Sequence, residues 1–147
     1  MLSKQEIFDK CAVHLMTQGK KAMKPDTPDQ SCMYRAPDGT KCAVGVLIPD
    51  HLYTSSMEGN SVPGLFQDFA PEMSMAGLDP GDMTFLQELQ LIHDEYQPES
   101  WRRQLVYLAD YFDLSTAVLN STPLMTPGAV SGRFVSDTPN FTEVTYA

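Results

Sequence analysis

Apolar side chains recur on one helical face from the start of the chain: Ile7, Phe8, Cys11, Ala12, Leu15 and Met16 keep the three-and-four spacing of an amphipathic helix. Ser3 and Glu6 stand where a capping box needs them. The serine hydroxyl and the glutamate carboxylate each serve a backbone N–H that the first turn leaves without a partner, and Gly19 supplies a left-handed stop. The spacing predicts a helix of about four turns. The same period returns at Phe85, Leu86, Leu89, Ile92, His93 and Tyr96, after an Asp79-Pro80 start and before Gln97-Pro98. It returns again beyond Pro98 at Trp101, Leu105, Leu108, Ala109 and Phe112. With so short a connection, these two helices are expected to lie antiparallel and to pack, with the first helix, on a β-hairpin. A short last helix is expected over Leu114 to Leu119, entered through Ser115.

The hairpin is read from Cys32 to Gly45, where Pro37-Asp38-Gly39 is turn chemistry flanked by Tyr, Val and Cys. A two-residue Asp38-Gly39 loop would set Arg35 opposite Cys42 and Lys41 opposite Ala36, on different faces. Val46-Leu47-Ile48-Pro49-Asp50 then reads as a buried stretch leading into a turn or a helix start. Residues 55 to 78 read as a loop-rich crossing with one helical turn or two. Its methionines, Met57, Met73, Met75 and Met83, suit an irregular core or an adaptable contact surface. Residues 121 to 147 hold eight Ser/Thr, three Pro and two Gly and show no helical period, which predicts an extended arm. The expected architecture is a small α+β domain over residues 1 to 120, with a C-terminal arm over residues 121 to 147.

A length of 147 residues amounts to one domain. The net charge of −9 is unevenly placed, because residues 42 to 101 carry ten Asp/Glu and no Lys or Arg. A surface so charged repels a phosphate backbone, which argues against direct nucleic-acid binding and favours a partner with a basic surface. Candidate partner contacts are Asp50, Glu58, Asp68 and Glu72 in this acidic stretch, with Phe141 and Tyr146 in the arm. Through added strands the arm also offers a route to homo-oligomers. No apolar run approaches the roughly 18 residues a membrane span requires, and no apolar leader follows the first lysine. Three cysteines without paired spacing fit a reducing, cytoplasmic setting.

Chemistry narrows to three readings. Cys32 and Cys42, with His14, His51 and His93 scattered, lack the tight ligand pairs of structural zinc, so no metal and no cofactor is expected. Cys42, His93 and Asp94 have the residue types of a thiol hydrolase. Neighbours on a helix diverge by about 100°, however, so Asp94 is not expected to orient the His93 ring. Tyr34, Arg35 and Lys41 place an aromatic ring and two cations together, a group suited to a small anion or nucleotide. The structural alternative pairs Arg35 with an acidic residue from the middle of the chain and buries Tyr34.

The stretch CMYRAPDGTKCAVGVLIPDHLY, then Met57-Glu58-Gly59, LQLIHDEY and Trp101, resembles a widespread group of small, uncharacterised proteins of phages, prophages and bacterial genomes. The resemblance runs over roughly residues 3 to 118 and is carried chiefly by Tyr34, Arg35, Gly39, Lys41, Cys42 and Gly45, with Ile48-Pro49-Asp50 and His93-Asp94 in support. It implies a mobile-element setting and a compact α+β domain, and it transfers no activity. Together with small size, the acidic middle and the absence of a catalytic motif, it leads to a non-enzymatic phage or prophage accessory protein of the host bacterial cytoplasm. Such a protein would bind a host macromolecule, as an anti-CRISPR-like or similar inhibitor of a bacterial defence system. The alternative is a small-molecule or nucleotide binder built on Tyr34, Arg35 and Lys41.

Overall fold

The computed structural model describes residues 1–25 and 31–121, and the expected arm with Phe141 and Tyr146 lies outside them. Helix α1 covers Lys4–Gln18, with Ser3 and Glu6 closing the capping box and Gly19 ending the helix at φ 68°. Helices α4 (Met83–Glu95) and α5 (Pro98–Tyr111) form the expected close pair. Asp79-Pro80 opens a 3-10 turn over Pro80–Asp82 rather than α4 itself. Two short helices, α2 (Val62–Asp68) and α3 (Ala70–Met75), occupy the stretch read as a loop-rich crossing with one helical turn or two, and α6 (Ala117–Ser121) follows α5. Helix α1 lies against α4, α5, α6 and the 3-10 turn Gly45–Leu47. Trp101, Phe8, Phe85, Ile7 and Leu15 are fully buried between these elements. A large apolar side chain so buried contributes about 1.5–3 kcal/mol.

The α+β expectation is wrong. Helix takes up 59% of the described residues and strand or bridge residues 3%, with no sheet. The turn at the centre of the expected hairpin does form, as Ala36 N–H donates to Thr40 O (2.9 Å), Gly39 N–H donates to Ala36 O (3.0 Å) and Gly39 takes φ 93°. Pairing extends no further than one antiparallel bridge, Arg35 with Lys41, and one more bond from Cys42 N–H to Tyr34 O.

The reason lies in where the backbone finds its partners, since every buried N–H and C=O needs one. Side chains supply them here. Gln18, at the end of α1, accepts from Lys41 N–H (2.9 Å) and donates to Lys41 O (2.9 Å), so one amide does the work of a neighbouring strand. The Glu58 carboxylate takes the N–H groups of Tyr34 (2.9 Å) and Arg35 (3.0 Å), and Gln90 of α4 takes that of Val44 (3.1 Å). Beyond Val44 the chain curls into the Gly45–Leu47 turn, where a side chain has no room: a Cβ on Gly45 would lie 2.0 Å from the Tyr34 carbonyl oxygen.

Of the methionines read as core or contact surface, Met57 and Met73 are buried and Met75 is exposed.

Candidate functional site

The segment from Tyr34 to Glu58 folds into a polar knot. The register differs from the sequence expectation: Arg35 faces Lys41, because three residues rather than two separate Ala36 from Thr40, and both cations reach the same side. Each meets Asp50, Arg35 Nη1 at 2.7 Å and Lys41 Nζ at 3.8 Å. Arg35 Nη2 also donates to the Ile48 carbonyl, and its guanidinium lies 4.8 Å from the centre of the Tyr53 ring. The Tyr53 hydroxyl donates to Glu58 Oε2 (2.6 Å), which closes the circuit back to the backbone of Tyr34 and Arg35. Tyr34 is buried, and its hydroxyl donates to Asn60 O (2.6 Å).

The residues singled out as a motif thus hold one another. Asp50, although exposed, keeps its carboxyl below the usual carboxylate range, chiefly through the hydrogen bond from Arg35 and then through that residue's charge and that of Lys41. Tyr34, Arg35 and Lys41 are brought together as expected, with the phenol turned into the core and the cations turned onto Asp50.

The thiols are placed differently from the thiol-hydrolase reading. Cys42 is fully buried, accepts from Gly45 N–H (3.2 Å), and burial pushes its pKa far up. Cys11 is buried likewise and donates to Ala43 O. Cys32, not Cys42, is the thiol beside His93 and Asp94, with ligand atoms of all three within 4.8 Å of one another. Its pKa is pushed up to about 12, by burial first and then by the Asp94 carboxylate, so it remains a protonated thiol. The expectation that Asp94 cannot meet the His93 ring also fails: Nδ1 lies 2.7 Å from Asp94 Oδ1. The Cα–Cβ directions do diverge, but Nδ1 sits near the root of the ring and a short aspartate side chain can lean back to it.

His93 is fully buried, stacked on Trp101 at 5.6 Å, and its Nε2 accepts the N–H of Ala22 (2.9 Å). That bond fixes the tautomer, placing the ring proton on Nδ1, where Asp94 accepts it. A metal taking Nδ1 would have to displace that proton while Nε2 still accepts from Ala22, which demands an imidazolate. The Cys32–His93–Asp94 group is therefore a poor metal site as folded, despite its ligand types. Lys21 adds a further tie from its ammonium to the Asp94 carbonyl (3.0 Å).

Two depressions flank the outer face of α4. One, of about 520 Å³, is lined by Cys32, Tyr34, Glu58, Gln90, Asp94 and Glu95 among others, with Leu91 at its edge. The other, of about 350 Å³, runs between α4 and α5 and holds Glu88, Leu91, Tyr96, Tyr107, Tyr111 and Phe112. Leu91 belongs to both and is 43% exposed, so they form one surface. Among the described residues, their linings include the carboxylates of Glu58, Glu88, Asp94 and Glu95 and no Lys or Arg.

Comparison with protein-family models, curated proteins and solved structures finds no match to this chain. Function has to be read from these side chains alone. Of the sequence-predicted partner contacts, Glu58 lines the first depression, Asp50 belongs to the knot, and Asp68 and Glu72 lie on α2 and α3, away from both linings. Sequence reading missed Glu88, Glu95 and the tyrosines of α5, and took up Asp94 only in the thiol-hydrolase reading and the His93-Asp94 motif. The signal was present, since Tyr107 and Tyr111 sit at one-turn spacing beside the apolar stripe of α5. No helix among the described residues is long and apolar enough to cross a membrane.

Proposed function

We propose that this chain is a non-enzymatic protein-binding module that docks a basic surface of a host protein, acting as a phage or prophage accessory protein that blocks a bacterial defence system. One observation carries the docking reading: the two depressions joined at Leu91 bring together four carboxylates and four tyrosines, with no cation among the described residues of the lining. Exposed tyrosine beside apolar side chains is the composition of interface centres, and a surface of one sign steers a partner of the other. The thiols support a non-enzymatic role, because Cys11 and Cys42 are buried and Cys32 is held protonated. The phage setting rests on the sequence resemblance.

The test is affinity capture from bacterial lysates with the full chain and with a Glu88→Lys/Glu95→Lys variant, followed by titration of any captured protein at several salt concentrations. A partner with a basic surface is expected, bound more weakly as salt rises and at least about tenfold more weakly by the charge-reversed chain. Partners indifferent to the reversal, or none across several hosts, would overturn the proposal.

A further inference from the structure

The groove between α4 and α5 has a chemistry of its own. Tyr96, Tyr107, Tyr111 and Phe112 line it, and among the described residues Glu88 is its only charged one. Tyr111 is 84% exposed and meets Phe112 edge to face at 5.1 Å and 76°, while Phe112 meets the buried Phe85 at 4.9 Å and 72°. Phe112 is thereby anchored in the core, and Tyr111 is held at a fixed angle with most of its ring open to solvent.

Three features of the groove favour positive charge. Aromatic faces attract cations. Glu88 supplies a carboxylate that makes no hydrogen bond or ion pair to another described residue. Asp110 and Asp113 also flank Tyr111 and Phe112 along the chain, with no basic residue in the last turn of α5 to offset them. The nearest cation along α5 is Arg103, about two turns before Tyr111.

We infer that this groove receives a single arginine side chain of the partner, its guanidinium stacked on the open face of Tyr111 and paired edge-on with Glu88. The inference rests on the docking reading above and names the group that would anchor it. Guanidinium fits better than ammonium. It is planar, weakly hydrated, and can stack on a ring while presenting two N–H donors in its plane to one carboxylate, whereas an ammonium is a compact and strongly hydrated charge.

The experiment needs no partner protein. The full chain, with its tyrosine rings observed by NMR, is titrated with the acetylated amide of Gly-Arg-Gly and with the same peptide carrying citrulline, the neutral isostere, or lysine. Saturable shifts of the Tyr111 ring are expected with the arginine peptide, with citrulline about tenfold weaker and lysine between them. Glu88→Gln should close most of the gap between arginine and citrulline, and Tyr111→Ala should weaken every peptide. Both positions are solvent-exposed, so neither change threatens folding. Equal binding of arginine and citrulline would reduce the site to an apolar groove and overturn the inference, as would shifts that do not saturate. If Glu88→Gln and Tyr111→Ala leave a captured partner's affinity unchanged while Glu95→Lys lowers it, the inference falls and the docking reading stands. If the arginine peptide binds and no lysate partner does, the docking reading falls and the groove remains an arginine site.

Discussion

Replacing Glu58 by glutamine tests the claim that side chains do the work of a sheet in this fold. Three donors converge on the carboxylate: Tyr34 N–H on Oε1, and Arg35 N–H with the Tyr53 hydroxyl on Oε2. Glutamine keeps the shape but offers one oxygen. With that oxygen in the place of Oε2 it holds Arg35 and Tyr53, and its NH2 then faces the Tyr34 N–H, donor against donor. An amide left unsatisfied costs about 1–3 kcal/mol, and the two remaining bonds fall from charge-assisted to neutral strength, about 1 kcal/mol in all. The expected loss for Glu58→Gln is therefore about 2–4 kcal/mol, a large share of the roughly 5–15 kcal/mol of a typical domain. Glu58→Ala removes all three acceptors and should cost at least as much. Urea unfolding followed by circular dichroism measures this directly. With a slope of about 1.5 kcal/mol per molar, a loss of about 3 kcal/mol moves the midpoint down by about 2 M. A Glu58→Gln loss below about 0.5 kcal/mol would mean that water or another side chain serves these amides equally well, and the account of the knot would be wrong.

Trp101 is fully buried, stacks on His93 and donates through Nε1 to Tyr96 O (3.0 Å), so Trp101→Ala should cost roughly 3–5 kcal/mol by the same assay, and a loss near 1 kcal/mol would contradict its place in the core. His14 donates from Nε2 to Lys41 O, and burial holds its pKa below the ordinary 6.5, so the unfolded chain takes up a proton more readily than the native one. Its contribution is then complete above pH 6.5 and is lost as pH falls through that value toward the native pKa. The melting temperature of the wild type should fall more steeply than that of His14→Gln between about pH 7.5 and 5, and parallel profiles would refute the assignment. With its pKa raised to about 12 from an ordinary 9.0, Cys32 at pH 8 carries on the order of a thousandfold less thiolate than an unperturbed cysteine. Iodoacetamide labelling read by mass spectrometry should be correspondingly slow in the native state and faster in Asp94→Asn, whereas labelling at the urea-unfolded rate would show that the thiol is not so held.

What the sequence made legible was whatever its own neighbours decide. The capping box of α1 spans four residues, and the stripe of α5 repeats every turn, so both elements were readable with their faces. The turn at Pro37-Asp38-Gly39 was readable too. The sheet inferred from it was not there, because Gln18, Glu58 and Gln90, each far from the turn in sequence, supply the missing partners. Helices α2 and α3 were legible only as a turn or two for a related reason. At seven and six residues they are too short to persist alone, and they hold through the packing of Leu65 and Met73 into the core. At the candidate site, the grouping of Tyr34, Arg35 and Lys41 was visible, but their commitment to Asn60, Ile48 and Asp50 depended on a register one residue different from the expected one. The encounter of Cys32 with Asp94 joins residues 62 positions apart and left no local mark.

The same accounting of donors and acceptors directs attention away from the motif and toward α4. In the knot the polar groups are largely spent within the chain: Gln18 and Gln90 are bonded at both ends of their amides, Glu58 at both oxygens, and Arg35 at both terminal nitrogens. A ligand binding there would have to displace bonds that already hold the fold, and its affinity would be reduced by that cost. Glu88 and Tyr111 have no such commitment to the fold, since both are exposed and a partner meets them without first breaking anything. Two glutamates of equal charge thus separate the two roles. Glu58→Gln should lower the unfolding midpoint and reduce partner binding only so far as the chain unfolds, whereas Glu88→Gln should leave the midpoint in place and weaken binding by the folded protein.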